Sequence, residues 1–113
     1  MNKKIFIIDD DRSILEMLRD NIEKAGFKVE TEPESKNAVE KAAKASADLV
    51  VLDLVMPGAD GFSVLQSLKS DKRTAGIPVI ILTTYDTQEY RDKCSALGAA
   101  KYLVKPAPIK TLI

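Results

Sequence analysis

The run Leu49-Val50-Val51-Leu52 constrains this chain more than any other stretch. Asp48 and Asp53 flank it, and Pro57-Gly58 follows as a turn signal. The run is too short to cross a membrane and too apolar for a loop. It predicts a strand over Asp48 to Asp53, buried on both faces, as a parallel sheet requires. Ending that strand on an aspartate puts the Asp53 carboxylate at the sheet's carboxyl edge, where open α/β folds keep their chemistry.

The remaining chain alternates short apolar runs with segments of helical period. Ile5 to Ile8 reads as the first strand. Arg12 to Ala25 follows as a helix, with Ile14, Leu15, Leu18 and Ile22 on one face. Ser13 and Glu16 have capping-box spacing, with Asp11 as the competing cap, and Gly26 ends the helix. Phe27 to Thr31 alternates like a strand. Ser35 to Ala45 is alanine-rich and predicts a helix. After the Asp53 strand, Asp60 or Gly61 opens a helix carrying Phe62, Val64, Leu65 and Leu68. Ser70 to Gly76 reads as a loop, and Ile77 to Leu82 as a strand that tolerates Pro78 near its start. Asp86 or Thr87 begins a helix that Gly98 stops, with Cys94 on it as an inert thiol. Ala100 to Val104 is the last strand, and Ile109 to Ile113 is at most one turn of a final helix. Five β-α units predict a parallel sheet with helices on both faces, in the flavodoxin-like, doubly wound order 2-1-3-4-5. The short last helix reads either as a truncation or as an early end of the protein.

Composition removes several function classes. A chain of 113 residues reads as one domain spanning 1–113. At this size roughly 65% of the unfolded surface can be hidden, so neither disulfides nor metal are needed for folding. Lys plus Arg and Asp plus Glu both number 17, so no charge excess supports binding to nucleic acid or to a membrane surface. The single cysteine, Cys94, excludes an internal disulfide, and the absence of histidine excludes His catalysis and His-ligated metals. Lys3 and Lys4 precede an apolar run too short for a signal peptide, so the expected location is the cytoplasm.

The chemistry-bearing residues gather at strand ends. Asp9, Asp10 and Asp11 follow the first strand, Asp53 ends the third, Thr83 and Thr84 follow the fourth, and Lys105-Pro106 follows the fifth. In the order 2-1-3-4-5, strands one and three are neighbours at the topological switch point, so Asp9, Asp10 and Asp53 converge there with Thr83 and Lys105 beside them. Clustered carboxylates must protonate, bind a cation or pair with one. Lys105 supplies one positive charge. An oxygen-only ligand set favours Mg²⁺ (or Mn²⁺) over zinc. A Mg²⁺ site held by few carboxylates keeps positions for phosphate oxygens, and a carboxylate can itself be the nucleophile of phosphoryl transfer.

The set Asp9-Asp10, Asp53 with Met56-Pro57-Gly58 and Asp60-Gly61, Thr83, and Lys105-Pro106 resembles the receiver domain of bacterial two-component response regulators. The resemblance runs over essentially the whole chain. It implies that Asp53 is the phospho-acceptor, charged by a histidine kinase or phosphotransfer protein, in a signalling switch rather than a metabolic enzyme. It implies Mg²⁺ held by the Asp10 and Asp53 side chains, by the Val55 carbonyl, and by Asp9 through a water. Lys105 would pair with the phosphoryl group, Thr83 would move to hydrogen-bond it, and Tyr102 would be the aromatic that turns inward with Thr83. The Lys105-Pro106 bond resembles one that is cis in that family. An output domain or partner protein, and a homodimer, are compatible with it.

Some residues depart from the family pattern. Thr84 stands where a very small residue is usual, and Ala107 replaces an aromatic often found after the lysine-proline pair. Val55 offers no side chain to position a hydrolytic water, and Tyr85 could screen one, which together predict slow self-dephosphorylation. Three rivals stand beside this reading. A phosphatase of the haloacid dehalogenase type needs an aspartate two residues after its nucleophile, where this chain has Val55. A flavodoxin needs a phosphate-cradling first loop, where this chain has Asp9, Asp10 and Asp11. A degenerate receiver would act as a docking module without phosphorylation, although every acceptor-site residue is present.

Overall fold

A computed structural model describes residues 3–34, 36–56 and 59–105, with the backbone alone at 55, 56 and 59. The central sheet is built from β1 (Lys4–Ile8), β2 (Lys28–Glu32), β3 (Leu49–Leu52), β6 (Val79–Thr83) and β7 (Lys101–Val104). A small antiparallel ribbon, β4 (Val55–Met56) and β5 (Ala59–Asp60), follows β3. The helices are α1 (Arg12–Lys24), α2 (Ala38–Ala45), α3 (Gly61–Ser70) and α4 (Gln88–Ala96). The sheet is parallel throughout, in the order β2-β1-β3-β6-β7, which is the expected 2-1-3-4-5 order of a flavodoxin-like fold. The final turn over 109–113, the Lys105-Pro106 bond, Ala107 and the Pro57-Gly58 turn itself lie outside the described residues.

Alternation along the strands sorts the core into two layers. Phe6 and Ile8 of β1 face one side with Val50, Leu52, Val79 and Ile81, packed against Ala38 and Ala42 of α2, Leu65 and Leu68 of α3, and Cys94 of α4. Ile5 and Ile7 face the other side with Val29, Val51, Ile80 and Leu82, packed against Leu15, Leu18 and Ile22 of α1. Helices on both faces explain why β3 carries no polar residue: each of its side chains meets a helix layer or the sheet's flank. Among the described residues no helix is long and apolar enough to cross a membrane.

Local chemistry moves several boundaries. Asp11, not Ser13, caps α1, with its carboxylate accepting from the Ser13 amide at 3.0 Å and the Ile14 amide at 3.3 Å. Phe27 is spent closing the end of α1, its amide donating to the Ile22 carbonyl, so β2 begins at Lys28. Helix α2 begins at Ala38 rather than Ser35, because Asn37 holds a left-handed φ of 60°, a conformation asparagine tolerates better than most residues. The fourth main strand begins at Val79, because the Ile77 amide turns back onto the Thr74 carbonyl and Pro78 has no amide to give.

Candidate functional site at the carboxyl edge of the sheet

The strand register places the site's residues before any side chain is considered. Ile8 of β1 lies opposite Leu52 of β3, so Asp9 and Asp53 leave the sheet side by side. Backbone bonds hold both: the Asp53 amide donates to the Ile8 carbonyl at 3.0 Å, and the Asp9 amide to the Glu32 carbonyl at 3.1 Å. On the far side of β3, Leu52 pairs with Ile81, and Thr83 ends β6 opposite Val104. The Lys105 amide donates to the Thr83 carbonyl at 2.7 Å, which fixes where its side chain starts.

The Lys105 ammonium lies 2.6 Å from Asp9 Oδ2 and 3.4 Å from Asp53 Oδ2. All three side chains are largely withdrawn from water, at 11%, 3% and 9% exposure. Unpaired charges would be costly at that depth, so each is matched by an opposite charge. The second Asp9 oxygen accepts from the Asp11 amide at 3.0 Å, which orients the carboxylate. Asp10 is exposed and completes the cluster: Asp9, Asp10 and Asp53 each offer an oxygen, all within 4.8 Å of one another. Three carboxylates face one lysine, and every donor is a hard oxygen. The donor set therefore fits a divalent cation of the Mg²⁺ class.

The loop after Asp53 is held by a feature that sequence reading took as a simple helix start. The Gly61 amide donates to the Leu54 carbonyl at 3.0 Å, and a Cβ at Gly61 would lie 2.4 Å from the Leu54 Cα. Only glycine permits that approach. Asp60 caps α3, accepting from the Phe62 amide at 3.0 Å. Val55 lies in the ribbon, paired through its backbone with Asp60.

Thr83 is fully buried, and its hydroxyl oxygen accepts from the Tyr85 amide at 3.4 Å. Thr84 and Tyr85 are exposed beyond it. Tyr102 is half-buried on the edge strand β7, and its hydroxyl donates to the Tyr85 carbonyl at 2.7 Å. Burial pushes the Tyr102 phenol above its ordinary pKa, and Arg91, 4.9 Å from the ring centre, pulls against that shift. Arg91 is itself held by Asp86 at 2.8 Å. Sequence reading missed this Asp86-Arg91-Tyr102 contact; an acid and a base five residues apart across a helix start were its only signal. Cys94 lies on α4 as expected and is fully buried, which raises its thiol pKa.

The model of the response regulator receiver domain matches residues 5–113. The chain is 37% identical to the alkaline phosphatase synthesis transcriptional regulatory protein PhoP of Bacillus subtilis, over 94% of this chain and 43% of that protein. It is 36% identical to the protein PilH of Pseudomonas aeruginosa, over 97% of this chain and 91% of that one. The solved chemotaxis response regulator CheY4 of Vibrio cholerae superposes with a TM-score of 0.90 at 32% identity, covering 99% of this chain and 97% of that one. The chain thus spans less than half the length of PhoP and nearly all of PilH. With the sheet order, the acidic cluster and the lysine in hand, these matches establish that the chain belongs to the response regulator receiver domains, the phosphorylation-controlled signalling modules of two-component systems.

Proposed function

We propose that Asp53 is the residue phosphorylated, by a phosphohistidine of a sensor kinase or phosphotransfer protein. The observation that carries this is the Lys105 ammonium shared between Asp9 and Asp53 at the end of β3. An Asp53 oxygen attacks phosphorus, the P–N bond to the donor imidazole breaks, and its electron pair stays on the imidazole nitrogen. Mg²⁺ would be held by the Asp10 and Asp53 side chains, by the Val55 carbonyl and by Asp9 through a water, and would supply positive charge to neutralise the phosphoryl oxygens. Lys105 transfers its contact from the Asp53 carboxylate to a phosphoryl oxygen, and Thr83 turns its hydroxyl to another. Tyr102 follows Thr83, so the surface around α4 and β7 changes shape.

The domain turns over no metabolite; it catalyses only its own phosphorylation and dephosphorylation. Thr84 and Tyr85, exposed beside Thr83, narrow the approach of water and support slow self-dephosphorylation. The proposed setting is the cytoplasm. An output domain or a separate partner protein reads the change, with homodimerisation as one form of that reading; direct contact with nucleic acid or membrane is not part of it.

Incubation with Mg²⁺ and acetyl phosphate is expected to add one phosphoryl mass to the wild type and none to Asp53→Asn. Equal labelling of both proteins, or labelling of neither, overturns the assignment of Asp53. The phosphorylated protein is expected to persist for minutes or longer, and decay within seconds overturns the slow-hydrolysis reading.

A further inference from the structure

We infer that Phe62 is a positioning residue that carries the state of the Asp53 loop to α4, by a route separate from Thr83. The inference rests on the reading of Asp53 as the phosphorylated residue. Phe62 stands directly after the two contacts that fasten this loop: the Gly61 amide on the Leu54 carbonyl, and its own amide on Asp60. With Leu54 fixed to Gly61, a displacement of the backbone after Asp53 has little slack to absorb it before Phe62.

From the other side, α4 grips the same ring twice. Tyr90 meets Phe62 edge to face, with centroids 5.3 Å apart and planes at 85°. The Lys93 ammonium sits 4.2 Å from the Phe62 centroid. Both contacts use the ring's quadrupole, so an aliphatic side chain of similar volume does not replace them. They matter here because Cys94 is the one fully buried side chain of α4. A helix with one fully buried side chain takes much of its position from half-buried contacts such as these at the core's edge. Tyr90 also lies 5.7 Å from Tyr85, whose amide is bonded to Thr83. Helix α4 is thus reached from two directions, through Phe62 from the acceptor strand and through Tyr85 from the threonine.

The test is amide NMR of the isotopically labelled chain, titrated with Mg²⁺ and beryllofluoride as the phosphoryl mimic. In the wild type the amides of Thr83, Thr84 and Tyr85 and those of Tyr90 to Ser95 are expected to shift. In Phe62→Leu the α4 shifts are expected to fall by more than half while those at 83–85 stay, and Phe62→Tyr, which keeps the ring, is expected to restore them. Undiminished α4 shifts in Phe62→Leu overturn the inference, as does a wild type that responds at 83–85 but not on α4. An equal loss at both segments also overturns it, because Phe62 would then only support the site. A wild type that responds nowhere overturns the assignment of Asp53 and this inference with it. If Phe62→Leu does not fold, Tyr90→Leu removes the same ring pair from the α4 side and is judged by the same shifts.

Discussion

Helices α1 and α4 flank the same sheet and are held to it by different physics. Helix α1 sinks Leu15, Leu18 and Ile22 into the core and starts on a charged cap next to the acidic cluster. Helix α4 buries Cys94 fully and otherwise relies on a half-buried tyrosine, two cations and their aromatic partners at the core's edge. Burial of three aliphatic side chains is worth several kcal/mol, whereas half-buried ring and cation contacts are worth about 1 kcal/mol each. The difference separates a fixed wall, which holds Asp9 and Asp10 in place, from an element that can be displaced at small cost. A switch needs both.

The largest expected effect sets the two helices apart directly. Ile22→Ala should cost about 3 kcal/mol in global stability, while Tyr90→Ala should cost about 1 kcal/mol. Urea unfolding measures both, and equal losses would break the contrast. Native-state hydrogen exchange should agree, with α1 amides exchanging through global unfolding and α4 amides through a cheaper local opening.

Next in size is Gly61→Ala. A methyl group 2.4 Å from the Leu54 backbone must push the loop after Asp53 outward, at about 2 kcal/mol of strain. Labelling by acetyl phosphate should slow as well if Asp53 is the acceptor as proposed, because the backbone beside it moves. Unchanged stability would show that the loop has room to give.

The two caps give a sharper comparison at about 1 kcal/mol each. Asp11→Ala removes the acceptor for the Ser13 and Ile14 amides, and Thr87→Ala removes that for Tyr90. On α1 the loss should appear in global unfolding. On α4 it should appear mainly as faster local exchange, with the urea midpoint nearly unmoved. A global loss of the same size from Thr87→Ala would mean that α4 unfolds with the core.

The smallest effect tests a third kind of tether. Arg73 bridges Asp71, just past α3, to Glu40 on α2, at 2.9 Å and 2.7 Å. Its hydrogen bonds hold the Asp71 carboxyl down to about 2, from 3.8, and lower Glu40 as well. Because the folded value is the lower one, the unfolded chain takes up the proton first as pH falls. The stabilisation is therefore whole above about pH 4 and lost as pH drops through about 2. Asp71→Asn should lie slightly below the wild type at neutral pH and converge with it near pH 2. The gap should shrink in high salt, since these groups face solvent.

Much of this was legible in the residues because it rests on apolar runs and on strand ends. Leu49 to Leu52 announced a doubly covered strand, and five such runs left few topologies. Asp9, Asp10, Asp53, Thr83 and Lys105 were legible as a group because each lies at or just past the carboxyl end of a strand, so the sheet order alone brings them together. What escaped depends on neighbours distant in sequence. Gly61 resembles any helix-opening glycine until Leu54 is seen against it. Asn37 lies inside an alanine-rich segment whose composition gives no sign of a left-handed residue. Asp11 and Ser13 were both plausible caps, and only backbone geometry chose between them. Phe62 looked like an ordinary helix-face residue and Tyr90 and Lys93 drew no notice, because a ring shared between two helices has no spacing rule within either one.

The ion pairs of Lys105 also bear on when the site comes into being. Its partners lie 96 and 52 residues back along the chain. Neither pair is local, so closing both loops requires the first, third and last strands to be docked. During synthesis Asp53 emerges from the ribosome long before the lysine that completes its surroundings. A half-made or partly unfolded chain therefore holds the aspartate but not the charge arrangement around it, so the phosphorylation proposed for Asp53 would be confined to chains in which all three strands have docked.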